Sequence, residues 1–194
     1  MIHPRMLVIA GPPGSGKSTA FAVSSFGMAS FNADDRAASL NAGSYLGIPN
    51  HIRQEVNREF EKFVVGCIER RESFAIETTL RSHVTFDQAR LAKAAGFTTE
   101  IRYLALADFA MHLERVKIRA DAGGHSASES TLRRIYDSSV NNLRHAVEIV
   151  DVLRVYDNSE FDAPPRLILE AHSGHITTTV EPKPAWLTTA LALG

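Results

Sequence analysis

A glycine-rich segment near the N-terminus, ending in a lysine and a serine, contains the residue types needed to hold a phosphate chain. Gly11 to Ser18 reads GPPGSGKS, which satisfies the pattern G-x-x-x-x-G-K-[ST] at every fixed position. The glycines allow positive φ angles, so that successive backbone N–H groups can converge on an anion. Lys17 can then reach the β- and γ-phosphates of a nucleotide, and Ser18 can hold a Mg²⁺ ion that bridges them.

This pattern predicts a phosphate-binding loop (P-loop) that takes ATP and Mg²⁺, with Ser18 as the metal ligand. An apolar run precedes the loop and a helix is expected after it, which is the context that the motif requires. The positive end of that helix would add to the attraction for phosphate. A glycine-rich turn without a ligand is the alternative, and the complete spacing disfavours it. The predicted nucleotide contacts are Gly11, Pro12, Pro13, Gly14, Ser15, Gly16, Lys17, Ser18 and Thr19.

Hydrophobic periodicity predicts strands and helices in alternation along the chain. The predicted strands are Arg5–Ala10, Ser30–Ala33, Phe74–Ile76, Thr99–Ala107 and Val152–Tyr156. The predicted helices are Gly16–Ser25, His51–Arg71, Thr85–Ala95, Phe109–Ala120 and one from a capping box at Ser126 and Glu129 to Val147. We predict an irregular excursion at Ala37–Asn50, a C-terminal hairpin of Arg166–Ala171 with His175–Val180, and a short helix after Pro184.

The alternation predicts an α/β fold of the P-loop NTPase type, a mostly parallel sheet with helices on both faces and a kinase-like lid. We predict a single domain over residues 1–194, with a core over about residues 1–160 and the hairpin and short helix over about 165–194.

The charge balance and cysteine content limit the classes of partner and compartment. The chain has 21 Lys and Arg against 22 Asp and Glu, which argues against a broad nucleic-acid or membrane surface. The single Cys67 excludes an internal disulfide and fits a reducing compartment. No apolar run has the form of a signal peptide or a membrane span. We therefore expect a cytoplasmic protein without a nucleic-acid or membrane partner.

Acidic side chains follow the predicted strands at the edge where ligands bind in parallel sheets. Asp34 and Asp35 follow the second strand, and Glu77 ends the third. The chain lacks the N-K-x-D element of GTPases, and a single acid ends the third strand where AAA-type motors carry two. Arg115 and Arg119 lie on a helix that leads into a Gly-Gly break, as in a closing lid. These features favour a small-molecule kinase, since phosphoryl transfer depends on positioning and charge neutralisation.

The order of several short segments resembles the zeta-toxin family of P-loop kinases, in particular its compact bacterial group. The resembling segments are GPPGSGKST, FNADD, ESFAIETTLRS, AKAAGF, ERVKIRADAGGHS, LRRIYDSSVNNL and VYDNS, which together extend from about Met6 to Ser159. The resemblance implies ATP-dependent phosphorylation of a small-molecule hydroxyl, with UDP-N-acetylglucosamine as the favoured acceptor. It also implies an antitoxin, which we expect to be a separate chain. A relative that phosphorylates a dinucleotide shows that the family does not fix the acceptor.

The resemblance also implies roles for individual residues. Asp34 matches the general base, with a helix cap or an indirect Mg²⁺ contact as alternatives. Glu77, Thr79 and Arg81 match the acceptor-binding Glu-x-Thr-x-Arg, although Glu77 could instead act on Mg²⁺ through water, and Arg81 could be a solvated helix start. The family's lid arginines match Arg115 and, less closely, Arg119. The resemblance implies that they are catalytic, together with Lys17. The alternative is that both lie on an ordinary exposed helix face.

Three further positions belong to the prediction. Asn158 lies where adenine usually binds, and a turn residue explains it equally well. His125, in the Gly-Gly-His segment of the lid, and Arg58, on the long helix, are candidate acceptor contacts. Thr78 departs from the family, because plasmid-borne zeta toxins have glycine there.

Three other functions remain open: a kinase for another nucleotide, dinucleotide or sugar, a nucleotide-binding regulatory ATPase, and a polynucleotide 5′-kinase. The intact Lys17, Ser18 and Asp34 disfavour the regulatory module, and the balanced charge disfavours the polynucleotide kinase.

Overall fold

The computed structural model describes residues 3–121, 127–181 and 183–191. The strands are β1 Arg5–Ala10, β2 Ala29–Phe31, β3 Phe74–Thr78, β4 Thr98–Ala105, β5 Val152–Asp157, β6 Arg166–His172 and β7 His175–Thr179. The helices are α1 Lys17–Ala20, α2 Ala33–Leu40, α3 Asn50–Arg70, α4 Val84–Ala94, α5 Phe109–Asp121, α6 Glu129–Asn141, α7 Leu143–Ile149 and α8 Ala185–Ala190. Within the described ranges, no helix combines the length and the apolar character needed to cross a membrane.

The described strands form one seven-stranded sheet in the order β2-β3-β1-β4-β5-β6-β7. Strands β1 to β5 are parallel, and β6 and β7 continue the sheet as an antiparallel hairpin. Strand β1 lies between β3 and β4, with Val8 opposite both Ile76 and Ile101. The predicted α/β fold, with its mostly parallel sheet, is confirmed. The strand that leads into the P-loop is therefore central and buried on both faces.

Alternate residues of β1 enter two hydrophobic cores of unequal size. Met6 and Val8 belong to the larger core, which α3, α4, α6, α7 and α8 cover. Leu7 and Ile9 belong to a smaller core on the opposite face, closed by the segment that follows the P-loop. Both faces are covered, as predicted, but the cover over the second face is thin.

The helix predicted over Gly16–Ser25 is interrupted. Helix α1 ends at Ala20, and a separate 3-10 helix spans Val23–Phe26. Phe21 leaves the helical conformation at φ −140° and packs its ring edge-on against Tyr156, with centroids 5.1 Å apart. Burial of this aromatic ring against the sheet outweighs the preference for a continuous helix.

Two further predictions were wrong about helices. Residues 37–40, placed at the start of an irregular excursion, belong to α2, because Asn32 caps the helix and Ala37 packs with Ile52 and Val56 of α3. The helix predicted from Ser126 to Val147 is two helices, since Asn142 ends α6 and its Nδ2 donates to Leu80 O at 2.9 Å. The N-cap of α6 is Ser128, whose Oγ accepts from Thr131 N; Ser126 lies outside the described residues.

A cluster of arginines surrounds one buried carboxylate on the thinner face of the sheet. Glu100 is 4% exposed and accepts hydrogen bonds from Arg5, Arg102 and Arg154. Burial alone would raise the pKa of Glu100, but hydrogen bonds and charge from Arg102 and Arg5 outweigh it and leave the pKa lowered. The carboxylate thereby joins β1, β4 and β5 by ion pairs.

We expect Glu100→Gln to destabilise the protein by about 2 kcal/mol, because three guanidinium groups lose their shared counter-charge. Asp87→Asn is the control, since it breaks an ion pair whose members, Arg90 and Asp87, are both more than half exposed and should change stability by less than about 1 kcal/mol. Urea unfolding at pH 7 measures both changes. Equal stability of Glu100→Gln and wild type would contradict a role for this cluster.

Candidate active site

The P-loop is held so closely by its surroundings that its glycines have no room for a side chain. A Cβ on Gly11 would lie 2.1 Å from Leu104 O in β4, and one on Gly14 would lie 2.6 Å from His112 O in α5. A Cβ on Gly16 would lie 2.4 Å from the Nδ2 atom of Asn158. All three glycines also have positive φ, which side chains rarely tolerate. The loop therefore has the shape of a backbone cradle for an anion, fixed from β4, α5 and the end of β5.

The ammonium of Lys17 is buried beneath this cradle. Its Nζ atom donates to Gly11 O at 2.9 Å and to Pro12 O at 3.2 Å. Burial lowers the pKa of Lys17, while the negative charges of Glu77 and Asp34 oppose that shift. The lysine thus lies among the loop carbonyls, with two carboxylates near enough to stabilise its charge.

A carboxylate from β3 meets the hydroxyl of the P-loop serine. Ser18 Oγ donates to Glu77 Oε2 at 2.9 Å, and Asn32 Nδ2 donates to the same oxygen at 3.3 Å. Burial raises the pKa of Glu77, and the charge of Lys17 with the hydrogen bond from Ser18 opposes the rise. This position suits the alternative in which Glu77 acts beside Mg²⁺.

Asp34 and Asp35 lie in the first turn of α2, and neither is the cap. The cap is Asn32, whose Oδ1 accepts from Asp34 N at 3.0 Å and Asp35 N at 3.3 Å. The Asp34 side chain is exposed and close enough to Lys17 to act on it electrostatically. Asp35, predicted to be a cap or a solvated neighbour, accepts a hydrogen bond of 2.8 Å from the hydroxyl of Tyr45.

The predicted lid arginines lie on the same helix, α5, in different environments. Arg115 is half-buried, and its Nη2 donates to Ser159 O at 3.2 Å. Arg119 is exposed, and its charge acts on Lys17. Asn158 Nδ2 donates to Ser15 O at 2.9 Å, so this residue supports the P-loop directly.

The structure shows no partners among the described residues for three further predicted side chains, those of Thr79, Arg81 and Arg58. The side chains of Thr79 and Arg81 follow β3, half-buried and exposed respectively, and Arg58 is exposed on α3. None of these three side chains forms a hydrogen bond or ion pair with another described residue. His125 lies outside the described residues.

His112 is a site residue that the sequence did not reveal. Its Nε2 accepts from Leu106 N at 3.0 Å, so its Nδ1 must be the donor to Pro13 O at 2.9 Å. Burial lowers the pKa of His112 to about 4, so the ring is neutral at physiological pH. The histidine thereby ties the P-loop to the end of β4, where the loop's close packing requires support.

The arrangement fits a nucleotide and Mg²⁺. Ser15 Oγ is buried and has no hydrogen-bond partner among the described residues, so it is an unsatisfied group inside a loop shaped for an anion. Among the described residues no group of three or more His, Cys, Asp or Glu could hold a metal by itself. Mg²⁺ does not need such a cage, since in nucleotide sites it takes few protein oxygens together with phosphates and water. Ser18 and Glu77 would supply or orient those oxygens.

Comparison with solved structures identifies the fold. No family model matches the chain. The AvrRxo1-ORF1:-ORF2 complex with ATP matches with a TM-score of 0.70 at 15% identity, over 91% of this chain and 60% of that one. The PezAT chromosomal toxin-antitoxin system of Streptococcus pneumoniae matches with a TM-score of 0.68 at 16% identity, over 98% and 79% of the two chains. A putative kinase from Chloroflexus aurantiacus matches at 0.55 with 17% identity, over 70% and 79%.

One curated relative, an uncharacterized protein of Haemophilus influenzae, is 25% identical over 138 residues, which are 65% of this chain and 88% of the relative. The chain spans less than two thirds of the AvrRxo1 chain that it matches. At this identity the likeness to the solved structures shows the fold alone, and at that level it agrees with the resemblance drawn from the sequence.

The neutral His112 should make stability depend on pH. Its pKa is about 4 in the folded protein against an ordinary 6.5, so the unfolded chain binds the proton more readily. The stabilisation is complete above pH 6.5 and is lost as pH falls towards 4. At pH 5 we expect His112 to account for a loss of about 2 kcal/mol relative to pH 7.

Urea unfolding of wild type and His112→Gln at pH 7 and pH 5 measures this loss. The variant should be less stable at pH 7 and should lose less stability on acidification. His175→Gln, at an exposed position on β7, controls for the removal of one histidine. If the stability of wild type and His112→Gln depends on pH in the same way, the neutral His112 ring does not stabilise the fold as proposed.

Proposed function

We propose that this protein is an ATP-dependent small-molecule kinase of the zeta-toxin type. It transfers the γ-phosphate of ATP to a hydroxyl of an acceptor, with UDP-N-acetylglucosamine the favoured one. One observation supports this proposal above all: Lys17, the Ser18–Glu77 pair and Asp34 meet at the carboxyl ends of adjacent parallel strands. A nucleotide phosphate and a second compound can approach each other at that edge of the sheet.

Each of these residues has a role that suits its surroundings. Lys17 and the loop amides bind the phosphates, and Ser18 binds Mg²⁺ with Glu77 beside it. Asp34, exposed at the start of α2, orients the acceptor hydroxyl and takes its proton as the oxygen–phosphorus bond forms. Arg115 and Arg119 on α5 neutralise charge that develops on the transferred group. Asn158 holds the P-loop through its hydrogen bond to Ser15 O and lies beside the adenine base of ATP.

The acceptor side is formed by residues around the mouth of the site. Thr79 and Arg81 follow β3 and supply a hydroxyl and a cationic fork, the latter suited to an acceptor phosphate. Arg58 and His125 are further candidates from the family pattern. Glu77 can bind the acceptor only if its carboxylate gives up the hydrogen bond from Ser18.

The protein acts in the cytoplasm, and a separate antitoxin chain covers its nucleotide site. The free, buried thiol of Cys67 supports a reducing compartment. The likeness to the PezAT toxin-antitoxin structure supports the antitoxin.

We expect Asp34→Asn to lower the rate of phosphoryl transfer by about a hundredfold or more, because the general base loses its charge. Asp35→Asn is the matched control: it removes a carboxylate from the same helical turn, whose partner is Tyr45, and should retain most of the activity. Transfer of the γ-phosphate of labelled ATP to acceptor measures both variants. Equal losses in the two variants would exclude Asp34 as the base.

We expect a metabolite extract incubated with the protein, ATP and Mg²⁺ to yield a phosphorylated UDP-sugar that mass spectrometry identifies. Lys17→Ala should yield no product, because the phosphate chain loses its main counter-charge. A product from another nucleotide, dinucleotide or sugar would replace the favoured acceptor. Hydrolysis of ATP without any phosphorylated product would instead support a regulatory ATPase.

A further inference from the structure

The side chain of Asn32 joins two parts of the candidate site that come from different strands. Its Oδ1 accepts from the backbone N–H groups of Asp34 and Asp35, at 3.0 and 3.3 Å. Its Nδ2 donates to Glu77 Oε2 at 3.3 Å, and that oxygen also accepts from Ser18 Oγ. One amide group therefore fixes both the helical turn that carries Asp34 and the carboxylate that faces Ser18.

The orientation of this amide is determined by its neighbours. With the opposite orientation, the NH₂ group would face two N–H donors and the carbonyl oxygen would face a carboxylate, so both contacts would be lost. Few other side chains can make both contacts from this position. Aspartate can cap the helix but repels Glu77, and serine can cap the helix but has no second group to donate.

The contact with Glu77 also affects the serine. Because the Ser18 hydroxyl donates its hydrogen to Glu77, its oxygen lone pairs remain available to a metal ion. Glu77 is half-buried, and its side chain accepts only from Ser18 and Asn32 among the described residues. Removal of Asn32 would leave Glu77 held by the serine alone.

We propose that Asn32 is a positioning residue for phosphoryl transfer: its one amide holds Glu77 against Ser18 and sets the helical turn that carries Asp34. The role rests on the kinase activity proposed above. It acts through Glu77, Ser18 and Asp34 and requires no contact between Asn32 and a substrate.

The test uses two substitutions that keep the helix cap. Asn32→Ser retains an acceptor for the α2 N–H groups and loses the donor to Glu77, so kcat should fall about tenfold. The Mg²⁺ concentration for half-maximal activity should rise severalfold, while KM for ATP changes less than about threefold, because the P-loop cradle is untouched. Asn32→Asp caps equally well but places a carboxylate against Glu77, so both effects should be larger.

Asn57→Ser, an exposed position on α3, is the matched control and should behave as wild type. Wild-type kcat and Mg²⁺ dependence in Asn32→Ser would overturn the proposal. If Asn32→Ser lowers the melting temperature markedly, Asn32→Asp decides: a folded Asn32→Asp with wild-type kinetics also overturns it.

A second measurement separates this proposal from the kinase activity itself. Calorimetric titration with a non-hydrolysable ATP analogue at several Mg²⁺ concentrations requires no transfer. If wild type transfers no phosphate, the kinase proposal fails. If Asn32→Ser then needs more Mg²⁺ than wild type to bind the analogue, the role of Asn32 in holding Glu77 is still supported. Identical binding by the two proteins would overturn that role.

Discussion

The arrangement of the site depends on how tightly the P-loop is packed against the sheet. Gly11 touches a carbonyl of β4, Gly14 touches one of α5, and Gly16 faces Asn158 from the end of β5. These contacts leave no space for a Cβ, so the loop cannot relax into another shape without moving a central strand. The anion cradle is therefore preformed by the packing of β1, β4, β5 and α5. Binding would not have to supply the free energy to build it.

The proposed phosphate site would rely on the loop amides and Lys17 more than on a helix dipole. Helix α1 has only four residues, because Phe21 turns away to pack against Tyr156. A macrodipole needs aligned peptides, and so short a helix contributes few of them. The early end of α1 weakens the attraction of its dipole for phosphate. It also lets Phe21 and Phe26 cover the thinner face of the sheet, where both rings contact the Arg102 guanidinium.

Sequence patterns predicted the sheet and the placement of the acidic residues, because parallel strands bring their carboxyl ends to one edge. Asp34 and Glu77 could be located by this rule alone. Asn32, two residues before Asp34, is a helix-start signal in the sequence, but no local pattern predicts its contact with Glu77, which comes from another strand. His112 could not be found in this way, since a lone histidine on an amphipathic helix has no local pattern. Its partners, Leu106 and Pro13, come together only in three dimensions.

Strand β7, the second strand of the hairpin, forms an exposed edge of the sheet. All five residues of β7 are exposed, none carries a fixed charge, and no described strand lies beyond it. Exposed edge strands are commonly protected from pairing with another chain by lysine, proline or a bulge. Here the next charged residues along the chain, Glu181 and Lys183, pair with each other just past the strand. The pairing of β7 with β6 shifts register between Glu170 and Ala171. In the described part of the chain, this irregularity and the shortness of β7 therefore discourage the sheets of two molecules from joining edge to edge when the protein is concentrated.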